Sequence, residues 1–139
     1  MASTLKINTL TGVTTAGSIA VTGEGNSTTT NLQQGLCKSW IYFDSSIATI
    51  VDSFNIGSIT DNGTGDFMVD INNPMGNITW CPVGSCGPQI GTSNNIGLSF
   101  QHENTPKTTT RMRPVTRKRD DNQDQDVDHC YIQVVGDLA

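Results

Sequence analysis

Four cysteines, two histidines and a dense run of aspartates are the groups of this 139-residue chain with most scope for chemistry. Cys81 and Cys86 stand close together in "CPVGSC", while Cys37 and Cys130 lie far off in sequence. A structural zinc site asks for four ligands, usually in tight pairs, and one loose pair with two distant cysteines does not supply them. The thiols read as small buried groups. A Cys81–Cys86 disulfide stays open if the protein meets oxidising water. His102 adjoins Glu103, and His129 adjoins Asp128. Neighbours on a strand face opposite sides, so neither pair makes a dyad by itself. G-x-S-x-G, H-E-x-x-H and G-x-x-x-x-G-K-[ST] do not occur. A glycosidase needs two carboxyls about 5–10 Å apart, and nothing in the spacing marks such a pair. The expectation is no enzyme, no cofactor and no bound metal.

Charge and aromatic residues suggest binding instead. "KTTTRMRPVTRKR" holds six of the eight basic residues and runs into "DDNQDQDVD", with five Asp. Such halves can neutralise each other as a solvated loop, meet across an oligomer, or present a surface for an anionic glycan. On the last reading Arg111, Arg113 and His102 face a receptor. An Asp ladder can also attract a cation, but the Gly turn of an EF-hand is absent. A ring face stacks on a sugar, which makes Trp40, Tyr42, Trp80 and Tyr131 candidates. Most aromatics serve the core. Trp80 borders the most loop-like stretch, "CPVGSCGPQIGTSNN", and is the one expected to be exposed. "TDNGTGD", between apolar runs, reads as a hairpin turn, because Asn and Gly tolerate positive φ. It lacks calcium-loop spacing and a closing Glu.

These residues must be held by strands. Only 35% of the chain is hydrophobic and 15% charged, with 14 Gly and much Thr, Asn and Ser. Turn formers and β-branched residues favour short strands over helices. "LCKSWIYFD" alternates Trp40 and Tyr42 with Ile41 and Phe43. "HCYIQVV" alternates Cys130, Ile132 and Val134 with Tyr131, Gln133 and Val135. "IATIVDSFNI", "FNIGSIT", "DFMVDI", "ITW" and "IGLSFQH" supply further strands. "RMRPVTRK" is a weaker one, which Pro114 demotes to an edge or an irregular run. The fold expected for residues 37–139 is an all-β, antiparallel, jelly-roll-like sandwich.

Residues 1–36 contain no aromatic residue and few apolar ones. Leu5/Ile7 and Ile19/Val21 alternate at strand period but are too few to offset ordering, roughly 1–2 kcal/mol per residue. This segment reads either as a disordered tail or as an extended segment ordered by identical copies or a partner, with intertwined strands of a trimer as one solution. The net charge of −5 speaks against a nucleic-acid partner. No apolar run approaches the ~20 residues of a membrane span. "MASTLKINTL" lacks signal-peptide character, so folding in a cytosol is expected, with reduced cysteines.

"STLKINTL", "NLQQGLCKSWIYFD", "DSFNIGSITDNGTGDF" and the closing "GDLA" resemble a recurring small fibre or virion structural protein of marine bacteriophages. The likeness covers the two ends and the first half of the β domain, not residues 76–129. Cys37 stands where a small residue is common, and Ile41 and Tyr42 replace milder residues. These are scaffold motifs with no catalytic residue to carry over. The resemblance implies a homotrimeric fibre on the virion. Leu5, Ile7 and Leu10 would anchor it to other virion proteins, and the β domain would face host-surface glycan. A capsid decoration protein is the alternative it leaves open.

Overall fold

The structure, a computed structural model, describes residues 4–12, 19–22, 28–87, 95–100 and 106–138. The chain divides into two units, Met1–Leu36 and Cys37–Ala139. In the first, β1 (Ala20–Thr22) pairs antiparallel with β2 (Thr29–Asn31). A single helical turn follows, α1 (Leu32–Gly35). The Leu32 N–H donates to Ile19 O at 2.8 Å, which ties the turn to the start of β1. Leu5, Ile7, Leu10 and Val21 are all exposed.

The second unit contains β3 (Cys37–Asp44), β4 (Thr49–Phe54), β5 (Ile56–Gly63), β6 (Asp66–Ile71), β7 (Cys81–Gly87), β8 (Ile96–Ser99), β9 (Arg111–Met112), β10 (Val115–Lys118) and β11 (His129–Val135). One sheet runs β4-β3-β11-β7, the other β5-β6-β10-β8 with β9 also on β6. Every pairing is antiparallel. The unit is thus all-β, as its turn-rich, β-branched composition leads one to expect. No described helix is long and apolar enough to cross a membrane.

One core serves both sheets. Ile41 and Phe43 of β3 and Cys130, Ile132 and Val134 of β11 join Phe67, Val69 and Ile71 of β6, with Met75, Trp80, Met112 and Val127. Phe43 and Phe67 meet edge to face, with centroids 5.5 Å apart. The period-2 alternation places these residues on one side of each strand. Burying a side chain of this size contributes roughly 1.5–3 kcal/mol. The β3–β4 turn is fixed by Ser45, whose Oγ donates to Val127 O at 2.8 Å and accepts from Val127 N at 2.6 Å.

"FNIGSITDNGTGDF" does two things. Asn55 takes φ +58° and breaks the run, so the chain leaves one sheet after Phe54 and enters the other at Ile56. Its side chain stabilises the break by donating to Lys38 O at 3.0 Å and accepting from Asn73 N at 2.8 Å. Further on, β5 and β6 form the expected hairpin around Thr64-Gly65. Gly65 has φ +68°, and a Cβ there would meet Thr116 O and the Gln125 N–H, the latter at 2.7 Å. Its own N–H donates to Asp126 Oδ1 at 2.7 Å. The Asp/Asn/Gly knot therefore turns the chain, and part of the acidic run holds the turn.

Two expectations need correction. "ITW" is no strand: Ile78 and Thr79 form a turn, with Thr79 N donating to Asn77 Oδ1 at 2.8 Å. The loop-like "CPVGSCG" is β7. It lies at the sheet's edge, where Pro82 is tolerated. Gly84 allows a close approach, since a Cβ there would meet Tyr131 O and Leu98 Cδ2, the latter at 2.9 Å. Pro114 marks the irregular run, not an edge. It is buried between β9 and β10, and β10 lies between β6 and β8. The strand breaks there because proline lacks an N–H, yet Pro114 O still accepts from Phe67 N at 3.1 Å.

Candidate functional site

The residues opposite the core on the β4-β3-β11-β7 sheet form two rows. Register places Val83, Gln133, Trp40 and Phe54 side by side, and Ser85, Tyr131, Tyr42 and Asp52 in the next row. Trp40, Tyr42, Tyr131 and Gln133 alternate along β3 and β11 with the core residues Ile41, Phe43, Cys130, Ile132 and Val134, so the alternation that builds the core also builds the middle of this face. The Tyr42 and Tyr131 rings stack with centroids 4.6 Å apart and planes 18° from parallel. Tyr42 Oη and His129 Nδ1 hydrogen-bond at 2.9 Å, and the His129 ring lies 6.4 Å from that of Tyr131. The face is open: Trp40 is 36% exposed, Tyr131 47% and Phe54 54%. Restricted solvation, and next the neighbouring Tyr131, push the Tyr42 phenol above its usual pKa. It is a neutral hydroxyl at physiological pH.

Trp40, Tyr42, Tyr131, Val83, Asp52 and Gln133 line an open groove of about 610 Å³. Aromatic faces beside a few convergent polar groups are what a small-ligand site offers. Asp52 is the one charged residue among the lining residues, and Gln133, Ser85 and the tyrosine hydroxyls complete the polar set. Such a surface can stack on the apolar face of a sugar ring and accept or donate hydrogen bonds to its hydroxyls. Among the described residues, no group of three or more His, Cys, Asp or Glu is placed to hold a metal ion.

Of the residues expected to face a receptor, the structure describes Trp80, Arg111 and Arg113. The structure corrects the expectation of an exposed Trp80: its side chain is 2% exposed and belongs to the core. Nε1 donates to Thr108 O at 3.0 Å, and Lys107 Nζ sits 4.4 Å above the ring while donating to Trp80 O. Gly136, at φ +154°, allows the Trp80 backbone to come close, since a Cβ there would fall 2.7 Å from Trp80 Cβ.

Arg111 lies on β9 of the other sheet and Arg113 between β9 and β10, and each grips a β6 carboxylate with two nitrogens. Arg111 Nε lies 2.5 Å from Asp70 Oδ1, and Arg113 Nε lies 2.7 Å from Asp66 Oδ1. The hydrogen bond from Arg111 holds the Asp70 carboxyl below its usual pKa. Arg117 pairs with Asp124 at 2.6 Å, so part of the basic run is neutralised by the acidic one. His102 lies outside the described residues. Leu5, Ile7 and Leu10 are exposed in the first unit.

Phe54, Val83 and Gln133 complete the outer face with His129; the first three were not singled out from sequence, and His129 was weighed there only beside Asp128. The signal for them is the same alternation that marks Trp40, Tyr42 and Tyr131. No protein family, curated protein or solved structure matches the chain.

Proposed function

We propose that the chain is a bacteriophage virion structural protein, a short homotrimeric fibre that binds host-surface glycan without turnover. The aromatic face of the β4-β3-β11-β7 sheet is the binding surface in this reading, and the stacked Tyr42–Tyr131 pair beside exposed Trp40 carries it. Two tyrosines held parallel by neighbouring strands form a preorganised platform, so little ordering is left to oppose ligand binding. The likeness of "STLKINTL" and "DSFNIGSITDNGTGDF" to phage fibre proteins supports the placement on a virion. Leu5, Ile7 and Leu10 are the anchor to other virion proteins in this account. A core shared by two antiparallel sheets supports a jelly-roll-like sandwich for residues 37–139.

Binding of the purified protein to immobilised host-surface polysaccharide tests the reading. The expected result is binding by wild type and binding weaker by about tenfold or more in Trp40→Ala. Binding that survives Trp40→Ala and Tyr131→Ala together would move the site elsewhere.

A second reading is favoured by the apolar residues on the same sheet. Val51, Phe54 and Val83 are exposed, which also suits contact with a capsid protein. A decoration protein predicts binding to capsids at fixed stoichiometry, heat-fragile particles when it is missing, and no affinity for host cells.

A further inference from the structure

We propose that Cys86 and Cys130 form an intrachain disulfide that staples the edge strand β7 to β11 once the protein meets a low-molecular-weight disulfide oxidant. The two residues are direct partners in the antiparallel ladder. Directly opposed residues in such a ladder have Cα atoms about 4.5 or 5.5 Å apart, and both spacings fall within the roughly 4.4–6.8 Å that a disulfide spans. Both side chains also point the same way. Cys130 is buried in the core, and Cys86 packs against that core.

No other described pairing fits as well. Cys81 and Cys86 share one strand, five residues apart and on opposite faces, so their Cα atoms lie roughly 16 Å apart. Cys37 and Cys81 flank Val135 from opposite sides. That leaves them two strand spacings apart, roughly 9.5 Å, beyond disulfide reach. Cys37 and Cys81 are exposed, whereas Cys86 is half-buried and Cys130 is buried.

The reaction balances with oxidised glutathione. Cys86, the more accessible thiol, ionises, and its thiolate attacks one glutathione sulfur. The glutathione S–S bond breaks, a mixed disulfide forms, and one glutathione thiolate leaves. Cys130 then loses its proton and attacks the Cys86 sulfur, expelling the second glutathione. Overall the cysteines lose two electrons and two protons, and the glutathione disulfide gains them. Burial raises the pKa of Cys86, and burial together with the neighbouring Cys86 raises that of Cys130 far above the ordinary thiol range. At neutral pH both are therefore thiols, so the bond forms slowly, and faster as pH rises.

The test uses the full chain carrying Cys37→Ser and Cys81→Ser, which leaves only the proposed pair. After incubation with oxidised glutathione, unfolding and alkylation, the expected result is no alkylated cysteine, a mass lower by two hydrogens and no covalent dimer. The melting temperature should rise by roughly 5 °C or more and fall back on reduction. Two alkylated cysteines, a persistent glutathione adduct or a covalent dimer would each overturn the proposal. Cys86→Ser in the same background is the control. It should abolish both the mass change and the gain in melting temperature, and retention of either would also refute the assignment.

Discussion

Trp80→Ala and Trp40→Ala are expected to separate stability from binding. Trp80 is enclosed, with its indole N–H bonded to Thr108 O and a lysine above its ring. Truncation leaves a cavity in the core and should cost about 3–5 kcal/mol in urea denaturation. Trp40 is partly exposed on the outer face of its sheet. Its truncation should change stability by about 1 kcal/mol or less but weaken glycan binding about tenfold or more, as loss of an aromatic anchor does. The two tryptophans were not equally legible. Trp40 sits in an unbroken alternation with Ile41 and Phe43, which fixes its side of the strand. Trp80 follows a turn, and the groups that bury it, Thr108 and Gly136, are distant in sequence. Nothing in "NITWCPVG" announces them.

Strands β6 and β9 are joined through charge as well as backbone. The hydrogen bond from Arg111 lowers the Asp70 pKa from its ordinary 3.8. The folded state therefore favours the ionised carboxylate. That stability is fully present above about pH 4 and is lost as pH falls through the lower folded value. Melting temperature should drop as the solution is acidified below pH 4, and Asp70→Asn should flatten that part of the curve. The β5–β6 hairpin gives a second check. Gly65→Ala places a side chain at positive φ and against the Thr116–Gln125 backbone. It should destabilise by about 1–3 kcal/mol in chemical denaturation. The hairpin was readable because turn chemistry is local. β7 was hidden for the opposite reason: Pro82, Gly84 and Gly87 spell a loop, and only pairing with β11 makes them a strand. The break at Pro114 was readable because a missing N–H is local, but its interior place was not, since its carbonyl bonds Phe67 of a strand distant in sequence.

Assembly and binding belong to the whole molecule. Light scattering of the full chain should give about three times 14.9 kDa, the trimer the fibre reading requires, and a monomer would shift weight to a decoration protein. Deleting residues 1–36 should weaken attachment to the virion more than it weakens glycan binding, and equal loss of both would refute that division of labour. The strand-rich character of residues 37–139 was legible in composition and alternation. The binding face was legible only in part, because a row across four strands depends on register, which no single segment encodes. The central claim is that this face binds glycan, and calorimetric titration of a panel of neutral oligosaccharides and host polysaccharides tests it most directly. Wild type should bind at least one of them, and Trp40→Ala combined with Tyr131→Ala should abolish the heat while the melting temperature holds. No binding by wild type across the panel, or binding unchanged in the double variant, would contradict it.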